Sequence, residues 1–255
     1  MNYIVAGATD IGIKKNTNQD SYRVKVMTLN GERMVFAILC DGMGGLAKGE
    51  LASATLVQAF HKWTEERLPL IYPNELTDSR LYEEWLDIVT TYNEKIKRYG
   101  ETCGIKMGTT VTAMLITAER YYILNVGDTR AYEIAEDIRV LTKDQTVVAR
   151  EVELGMLTPE QAERDPRRSV LLQCVGATET VYPDMFYGET QLNTVYMLCS
   201  DGFRHKITPR EIHQVLHPDR MQSSEEMTGN MTALIRANMQ RQETDNITVV
   251  AVRTF

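Results

Sequence analysis

The chain has 255 residues, of which 43% are hydrophobic and 25% charged, as is typical of a soluble globular protein with a substantial core. Its formal net charge of −7 argues against nucleic acid or an anionic membrane surface as a main partner, because both require a basic surface. The length does not by itself require a division, so we expect one domain over residues 1–255.

The first residues carry neither a basic leader nor a long apolar run, and no later stretch approaches ~18 uninterrupted apolar residues. We therefore expect a protein that is neither secreted by a signal peptide nor membrane-spanning, and that is cytoplasmic. The four cysteines lie far apart without a C-x-x-C pair, and most of them are in apolar runs. This distribution indicates buried free thiols in a reducing compartment.

Segments rich in Val, Ile, Tyr and Thr predict strands along the chain. These segments are Met34–Cys40, Val111–Thr117, Tyr121–Val126, Thr129–Ile134, Thr194–Ser200 and Ile247–Phe255. The turns at 118–120 and 127–128 are too short for a crossover helix, so we predict an antiparallel central region.

Apolar residues at steps of three and four predict a helix from Leu81 to Tyr99, which Gly100 should end. An earlier helix is predicted over about residues 47–66. Hydroxyl caps mark three further helix starts, at Thr158, Thr208 and Ser223. Because strands and helices fall in separate blocks, the sequence favours a layered α+β fold over a doubly wound sheet.

Acidic residues recur at or near the ends of predicted strands: Asp20, Asp41, Asp128, Asp201 and Asp245. If the sheets stack so that these ends meet, the carboxylates converge. Like charges ~4 Å apart repel by about 4 kcal/mol at an effective dielectric constant near 20, so the cluster would need divalent cations. Oxygen ligands without histidine or cysteine favour magnesium or manganese over zinc. Each aspartate alone is better explained by an ordinary turn, but the five together favour a site.

The chain also resembles a known family. The motifs that carry the resemblance are Asp41-Gly42-Met43-Gly44-Gly45, Gly108-Thr109-Thr110, Asn125-Val126-Gly127-Asp128-Thr129-Arg130, Leu198-Cys199-Ser200-Asp201-Gly202 and Asp245-Asn246-Ile247-Thr248-Val249-Val250. In this order they look like the successive motifs of the metal-dependent protein phosphatases, the protein phosphatase 2C family, in its bacterial form. The resemblance runs from about Gly7 to Val252 and so covers nearly the whole chain.

The resemblance implies a four-layer α-β-β-α fold, an antiparallel β-sandwich flanked by helices, with two metal ions at one end. Asp41 would bridge the ions, and the carbonyl of Gly42 would bind one of them. Asp201 and Asp245 would bind the other ion. Asp20 would act directly or through a water, and Asp128 would help to hold a third, weaker ion. Residues 143–176 would form the flap that varies with substrate.

The implied activity is hydrolysis of phosphoserine and phosphothreonine in proteins by a water activated between two Mn²⁺ or Mg²⁺ ions, with a third ion as an option. Lys15, Asp41 and Asp201 would carry the catalysis. The implied partners are phosphorylated proteins, with a cognate serine/threonine kinase as a further candidate. We expect a monomer that binds neither nucleic acid nor membrane.

Two positions depart from the family pattern. Lys15 stands where relatives usually have an arginine that grips the phosphate, and lysine offers only a point charge. Gln145 stands where many relatives have histidine, which leaves protonation of the leaving group to a metal-bound water. Arg130 is interpreted as a supporting residue. Because of these departures, a second interpretation stays open, in which the protein is a pseudophosphatase that binds phosphoproteins without hydrolysing them. The five retained aspartates nevertheless favour an enzyme.

Two other patterns compete for a functional interpretation. Residues 42–47 fit G-x-G-x-x-[GA], which is found in dinucleotide-binding proteins, but no βαβ unit is predicted after them. His213 and His217 have the i, i+4 spacing of metal ligands. Since Pro218 follows, a solvated helix end is the simpler interpretation.

Overall fold

The computed structural model describes residues 1–43 and 48–255, and within them it has ten strands. They are β1 (Tyr3–Asp10), β2 (Asp20–Leu29), β3 (Glu32–Asp41), β4 (Val111–Ile116), β5 (Arg120–Val126), β6 (Arg130–Ile134), β7 (Ile138–Val140), β8 (Asp184–Glu189), β9 (Val195–Cys199) and β10 (Ile247–Thr254). One sheet has the strand order β1-β10-β9-β6-β7, and the other has the order β2-β3-β4-β5-β8. All neighbouring strands are antiparallel.

Helices cover the outer faces of both sheets. The helices that do so are α1 (Gly49–Glu66), α2 (Leu68–Ile71), α3 (Asp78–Cys103), α6 (Asp201–Arg204), α7 (Pro209–Leu216) and α8 (Ser224–Gln240). Two short helices, α4 (Val147–Glu153) and α5 (Pro159–Arg164), lie between β7 and β8, and a 3-10 turn is at Pro218–Arg220. The predicted caps are confirmed: Thr158 and Thr208 form capping boxes, and the Ser223 side chain accepts a hydrogen bond from the backbone N–H of Glu226. The predicted helix over 47–66 corresponds to α1, and residue 47 lies outside the described residues.

Side chains along the central strands point alternately to the two faces of each sheet, and this divides the core into layers. In β3, Phe36 and Ile38 pack toward α1 and α3, whereas Ala37 and Leu39 point into the space between the sheets. In β10, Val250 likewise faces the other sheet. Successive side chains of a strand point to opposite faces, so a strand buried on both faces needs a continuous apolar run. The predicted α+β fold, an antiparallel sandwich between helical layers, is confirmed.

The six predicted strands are present, with ends that differ by one or two residues. The sequence did not reveal β1, β2, β7 and β8. In β2 most residues are only partly buried, and in β7 and β8 none is fully buried, so these strands lack the apolar runs on which the prediction depended.

The predicted end of the long helix at Gly100 is wrong. Helix α3 continues to Cys103 and ends at Gly104, which has a left-handed φ of 67°. That conformation costs glycine little and is the usual helix stop. Gly100 is instead buried within the helix, where an added Cβ would lie 2.7 Å from the carbonyl oxygen of Ile105. Close packing against the following loop therefore explains this glycine.

The turn at 127–128 joins strands of different sheets. Strand β5 belongs to one sheet and β6 to the other, so these consecutive strands do not pair. The prediction of antiparallel pairing is confirmed for β4 and β5 but is wrong for β5 and β6. The short turn carries the chain across the sandwich, and it leaves Asp128 between the ends of the two sheets.

Two further expectations concern membranes and cysteines. None of the helices in the described ranges is long and apolar enough to cross a membrane. All four cysteines are free thiols, and three of them are buried: Cys40, Cys174 and Cys199. Cys103 is exposed at the end of α3.

Candidate metal centre

Two of the predicted metal ligands face each other across a pair of strands. Asp20 is the first residue of β2 and Asp41 is the last residue of β3, and the two are paired in register. The Thr248 hydroxyl donates a hydrogen bond of 2.6 Å to Oδ2 of Asp20. Oδ1 of Asp20 is buried and has no hydrogen-bond partner. A buried carboxylate oxygen without a donor is what an oxygen-binding cation would satisfy.

The Gly108-Thr109-Thr110 motif holds the backbone of Asp41. The hydroxyl of Thr109 and the N–H of Thr110 each donate to the Asp41 carbonyl at 2.9 Å. The Asp41 N–H donates to the Thr110 hydroxyl at 2.9 Å. The Thr110 hydroxyl also lies 2.7 Å from that of Thr129, in the segment that follows Asp128. These bonds fix the end of β3, so the two threonines orient Asp41.

Gly42 lies where no side chain fits. An added Cβ would be 2.5 Å from the carbonyl oxygens of both Gln19 and Gly49. The Gly42 N–H donates to the Gln19 carbonyl at 3.1 Å, which ties the residue to the segment before Asp20. Close backbone approach of this kind requires glycine. Residues 44–47, which include the last two glycines of this motif, lie outside the described part of the chain.

Asp201 and Asp245 lie next to each other because β9 and β10 are neighbours. Asp201 begins α6 directly after β9, and Asp245 precedes β10. The N–H of Thr248 donates to the Ser200 hydroxyl at 3.0 Å, and the N–H of Ser200 donates to the Thr248 carbonyl at 3.0 Å. This exchange fixes Asp201 beside the start of β10.

Asn246 links this pair of strands to the other sheet. Its side-chain oxygen accepts from the N–H of Gln19 at 2.9 Å, and its amide nitrogen donates to the carbonyls of Ile11 and Thr17. The Gln19–Asp20 segment and the loop that carries Lys15 are thereby held against Asp245. The sequence marked Asp245-Asn246 as a motif but did not reveal what Asn246 does.

The five aspartates lie close enough for their charges to affect one another. Burial raises the pKa of Asp41 well above its usual value, and the charges of Asp20, Asp201, Asp128 and Asp245 raise it further. Burial, with smaller contributions from Asp201 and Asp245, raises the pKa of Asp20 to about 7. Burial and the charge of Asp201 also raise the pKa of Asp128 to about 7. Asp20 and Asp41 are costly to ionise without a nearby cation, so their end of the cluster suits a divalent ion.

Lys15 reaches the same cluster. Its ammonium group lies 2.7 Å from Oδ1 of Asp245. Burial by itself lowers the pKa of Lys15, but the hydrogen bond to Asp245 and the charges of Asp245, Asp41 and Asp201 outweigh it and raise the pKa. The predicted phosphate-binding residue therefore lies beside the acidic cluster and keeps its positive charge there.

Asp128 lies beside a cation that the sequence did not suggest. Nη2 of Arg204 is 3.6 Å from Oδ2 of Asp128 and 3.3 Å from Oδ2 of Asp144. Asp144 in turn binds Arg130 through both of its oxygens, at 2.7 and 2.8 Å. Arg130 thus supports the site through Asp144, as interpreted from the sequence. The Arg204–Asp144 link was missed because its partners are far apart in the chain.

Gln145 has a structural role. Its side-chain oxygen accepts from the N–H of Gly127 at 2.8 Å, and its amide nitrogen donates to Asp184 at 2.8 Å. The residue therefore fixes the turn before Asp128. An amide has no acidic proton, so Gln145 cannot protonate a leaving group.

In residues 1–43 and 48–255 no three Asp, Glu, His or Cys side chains are already arranged at the spacing of a preformed metal site. The carboxylates instead point toward hydrogen-bond donors and cations, including Thr248, Lys15 and Arg204. The pair His213 and His217 is not arranged as a metal site. The rings of His213 and His217 lie 5.4 Å apart, but Nε2 of His213 is 3.0 Å from the carbonyl of Ala135.

The dinucleotide interpretation is rejected. The strand before the glycine-rich segment is β3, and the next strand in the chain, β4, pairs with it antiparallel. A dinucleotide-binding βαβ unit requires parallel strands.

Replacing Asp20 by asparagine should stabilise the metal-free protein at alkaline pH. The neutral Asp20 carboxyl contributes stability that is fully present below the ordinary pKa of aspartate and is lost as the pH rises through about 7, because the buried carboxyl then ionises. Asparagine cannot ionise. In EDTA at about pH 8, Asp20→Asn should raise the melting temperature by roughly 2–4 °C, the shift expected for ~1 kcal/mol.

Thermal unfolding at about pH 5 and pH 8 checks this expectation, since the gain should shrink at the lower pH. Equal melting temperatures of the two proteins at the higher pH would contradict the burial of an uncompensated charge at Asp20.

Comparisons with known proteins point to one family. The family model for protein phosphatase 2C matches residues 12–245. The chain is 30% identical to the "Serine/threonine phosphatase stp" of Listeria innocua over 248 residues, which cover 96% of this chain and 93% of that protein.

Solved structures give the same result. The S. agalactiae serine/threonine phosphatase has a TM-score of 0.84 at 26% identity, with complete coverage of both chains. The catalytic domain of the serine/threonine protein phosphatase PstP, in complex with two manganese ions, has a TM-score of 0.75 at 25% identity and covers 99% of each chain. With a matching family model, a curated relative and a shared fold, this chain belongs to the protein phosphatase 2C family.

Proposed function

We propose that this protein serine/threonine phosphatase removes phosphate from phosphoserine and phosphothreonine side chains of other proteins by using water and two Mn²⁺ or Mg²⁺ ions. The observation that carries the proposal is the cluster at the end of the sandwich, where Asp20 and Asp41 pair in register and Asp41 is coupled to Asp201 and Asp245. The related PstP domain, which binds two manganese ions, supports this metal requirement.

Acidic residues from both sheets would hold the ions. Asp41 would contact both ions, the Gly42 carbonyl would help to hold one, and Asp201 and Asp245 would hold the other. Asp20 contributes through its unpartnered Oδ1, directly or through a water. Because Thr109 and Thr110 hold the backbone of Asp41, the main chain that carries this carboxylate is fixed without an ion.

When bound, the two divalent ions would supply a water of lowered pKa and positive charge for the phosphoryl oxygens. The protein's own residues have to hold and orient the reactants. Lys15 lies next to Asp245 and supplies a positive charge that attracts the phosphate. No protein side chain is assigned as nucleophile, and Gln145 is not a proton donor.

Residues 143–176 are proposed to form the flap that contacts the substrate protein. Helices α4 and α5 lie in this segment, and the N–H of Val147 donates to the Val170 carbonyl at 2.9 Å. The base of the flap reaches the metal centre, because Thr109 forms isolated bridges both with Gly42 and with Val175.

We further propose that the protein is a cytoplasmic monomer with one domain over 1–255, and that it opposes a serine/threonine kinase.

Hydrolysis of p-nitrophenyl phosphate and of a phosphothreonine peptide, in manganese and then in EDTA, tests the proposal. We expect turnover that requires the metal and that returns when manganese is added in excess of EDTA. Turnover that EDTA leaves unchanged would reject the proposed centre. A pseudophosphatase would bind the phosphopeptide without hydrolysing it, and the phosphatase names of the relatives do not favour that alternative.

Replacing Lys15 by alanine should raise KM roughly tenfold, since a hydrogen bond to a charged group contributes about 1.5 kcal/mol or more. The phosphate then loses a positive charge beside Asp245. Steady-state kinetics with p-nitrophenyl phosphate at saturating manganese measures the effect, and Lys14→Ala in the same loop is the control.

An unchanged KM for Lys15→Ala would show that the lysine serves only as a counter-ion of Asp245. Manganese would then bind more tightly to the variant than to the wild type, because the competing cation is gone. Titration of both proteins with manganese separates the two roles of Lys15.

A further inference from the structure

A buried guanidinium lies against the carboxylate that the family resemblance assigns to a third ion. Arg204 is the last residue of α6, and its Nη2 lies 3.6 Å from Oδ2 of Asp128 and donates to the Asp128 carbonyl at 3.0 Å. The side chains are 14% exposed for Arg204 and 7% exposed for Asp128. The carboxylate of Asp128 therefore already has a cation beside it, supplied by the chain itself.

Arg204 is held in this position from its other side. Its Nη2 is 3.3 Å from Oδ2 of Asp144, which forms a two-pronged ion pair with Arg130 at 2.7 and 2.8 Å. Two positive and two negative groups thus alternate from Arg130 through Asp144 and Arg204 to Asp128. The set has no net charge, and a divalent ion at Asp128 would add two positive charges next to Arg204.

Asp20 and Asp128, at the two ends of the acidic cluster, differ in whether a cation of the protein already lies beside them. Oδ1 of Asp20 is buried without any hydrogen-bond partner, which suits an incoming cation. Asp128 faces a guanidinium, which stays protonated at every physiological pH and is fixed by Asp144. A cation that approaches Asp128 would be repelled by the guanidinium of Arg204, which does not lose its proton.

Given the two-ion centre proposed above, we propose that Arg204 replaces the third metal ion by neutralising Asp128 and excluding a cation from it. The enzyme then works with two ions, and Asp128 acts through Arg204 instead of as a metal ligand.

Equilibrium titration with manganese, with free Mn²⁺ measured by electron paramagnetic resonance, counts the bound ions per chain. We expect two ions for the wild type and also two for Asp128→Asn. Arg204→Met should bind a third ion at least tenfold more tightly than any residual third site of the wild type. The double variant Arg204→Met/Asp128→Asn should lose that ion, and Arg204→Lys should keep the wild-type count. Arg241→Met, at an exposed arginine, is the matched control.

Three bound ions in the wild type, one of them lost in Asp128→Asn, would overturn the inference. A folded Arg204→Met variant that binds only two ions would also overturn the inference. If Arg204→Met does not fold, as circular dichroism will show, the comparison of wild type with Asp128→Asn decides alone. If the wild type binds no manganese, or if Asp41→Asn binds manganese as tightly as the wild type, the two-ion centre itself is rejected. This result is distinguishable from three bound ions, which would reject only the role proposed for Arg204.

Discussion

Replacing Asp41 by asparagine should abolish metal-dependent turnover while the protein stays folded. Asp41 is coupled to four other aspartates and is the only member assigned to both ions. Loss of an outer-sphere partner of a metal ligand typically costs about 10–100-fold in affinity or activity, and loss of a bridging ligand should cost more. Asparagine keeps the shape of the side chain, and the hydrogen bonds of Thr109 and Thr110 go to the Asp41 backbone.

Asp201→Asn should have the same effect, because Asp201 is assigned as a ligand of the second ion. Turnover of p-nitrophenyl phosphate in manganese, together with thermal unfolding, measures activity and folding separately. Asp219→Asn is the control, since Asp219 is 74% exposed and belongs to the 3-10 turn after α7. Wild-type turnover in Asp41→Asn would contradict the assignment of this residue.

Replacing Asp144 by asparagine should lower the free energy of unfolding by about 3 kcal/mol, because removal of one member of a buried ion pair leaves its partner uncompensated. Asp144 serves two mostly buried guanidinium groups, those of Arg130 and Arg204. Both would lose their main counter-ion. The expected loss is a large part of the stability of an ordinary domain.

Urea unfolding of wild type and variant measures this difference. Glu179→Gln is the matched control, because Glu179 pairs with Lys97 at 2.6 Å but is 86% exposed. An exposed pair contributes about 0–1 kcal/mol, so the control should change stability little. If Asp144→Asn is as mild as the control, the Arg130–Asp144–Arg204 network does not stabilise the fold.

The sequence was sufficient for the parts of the fold that depend on local pattern. The apolar runs of β3 and β10 are buried on both faces, and such runs are visible without a structure. The cap at Thr208 depends on neighbouring residues and was found as well. The aspartates could be selected because each lies at or near a strand end, although their convergence required the sandwich.

The rest depends on tertiary contacts. Strand β2 is mostly half-buried and mixes charged with apolar residues, so its pattern is weak. Gly100 looked like a helix stop, but it is required by packing against Ile105. Arg204 lies 76 residues from Asp128 and 60 residues from Asp144 in the chain. No spacing rule connects such residues, and a charged side chain in sequence is ordinarily interpreted as solvated.

Anomalous diffraction from a crystal soaked in manganese tests the central claim most directly. Our account predicts two manganese peaks at the end of the sandwich, both within reach of Asp41, with the Gly42 carbonyl beside one and Asp201 and Asp245 beside the other. It predicts no peak at Asp128 next to Arg204. A crystal with no manganese at Asp41, or with Asp41, Asp201 and Asp245 directed into separate regions of solvent, would contradict the account.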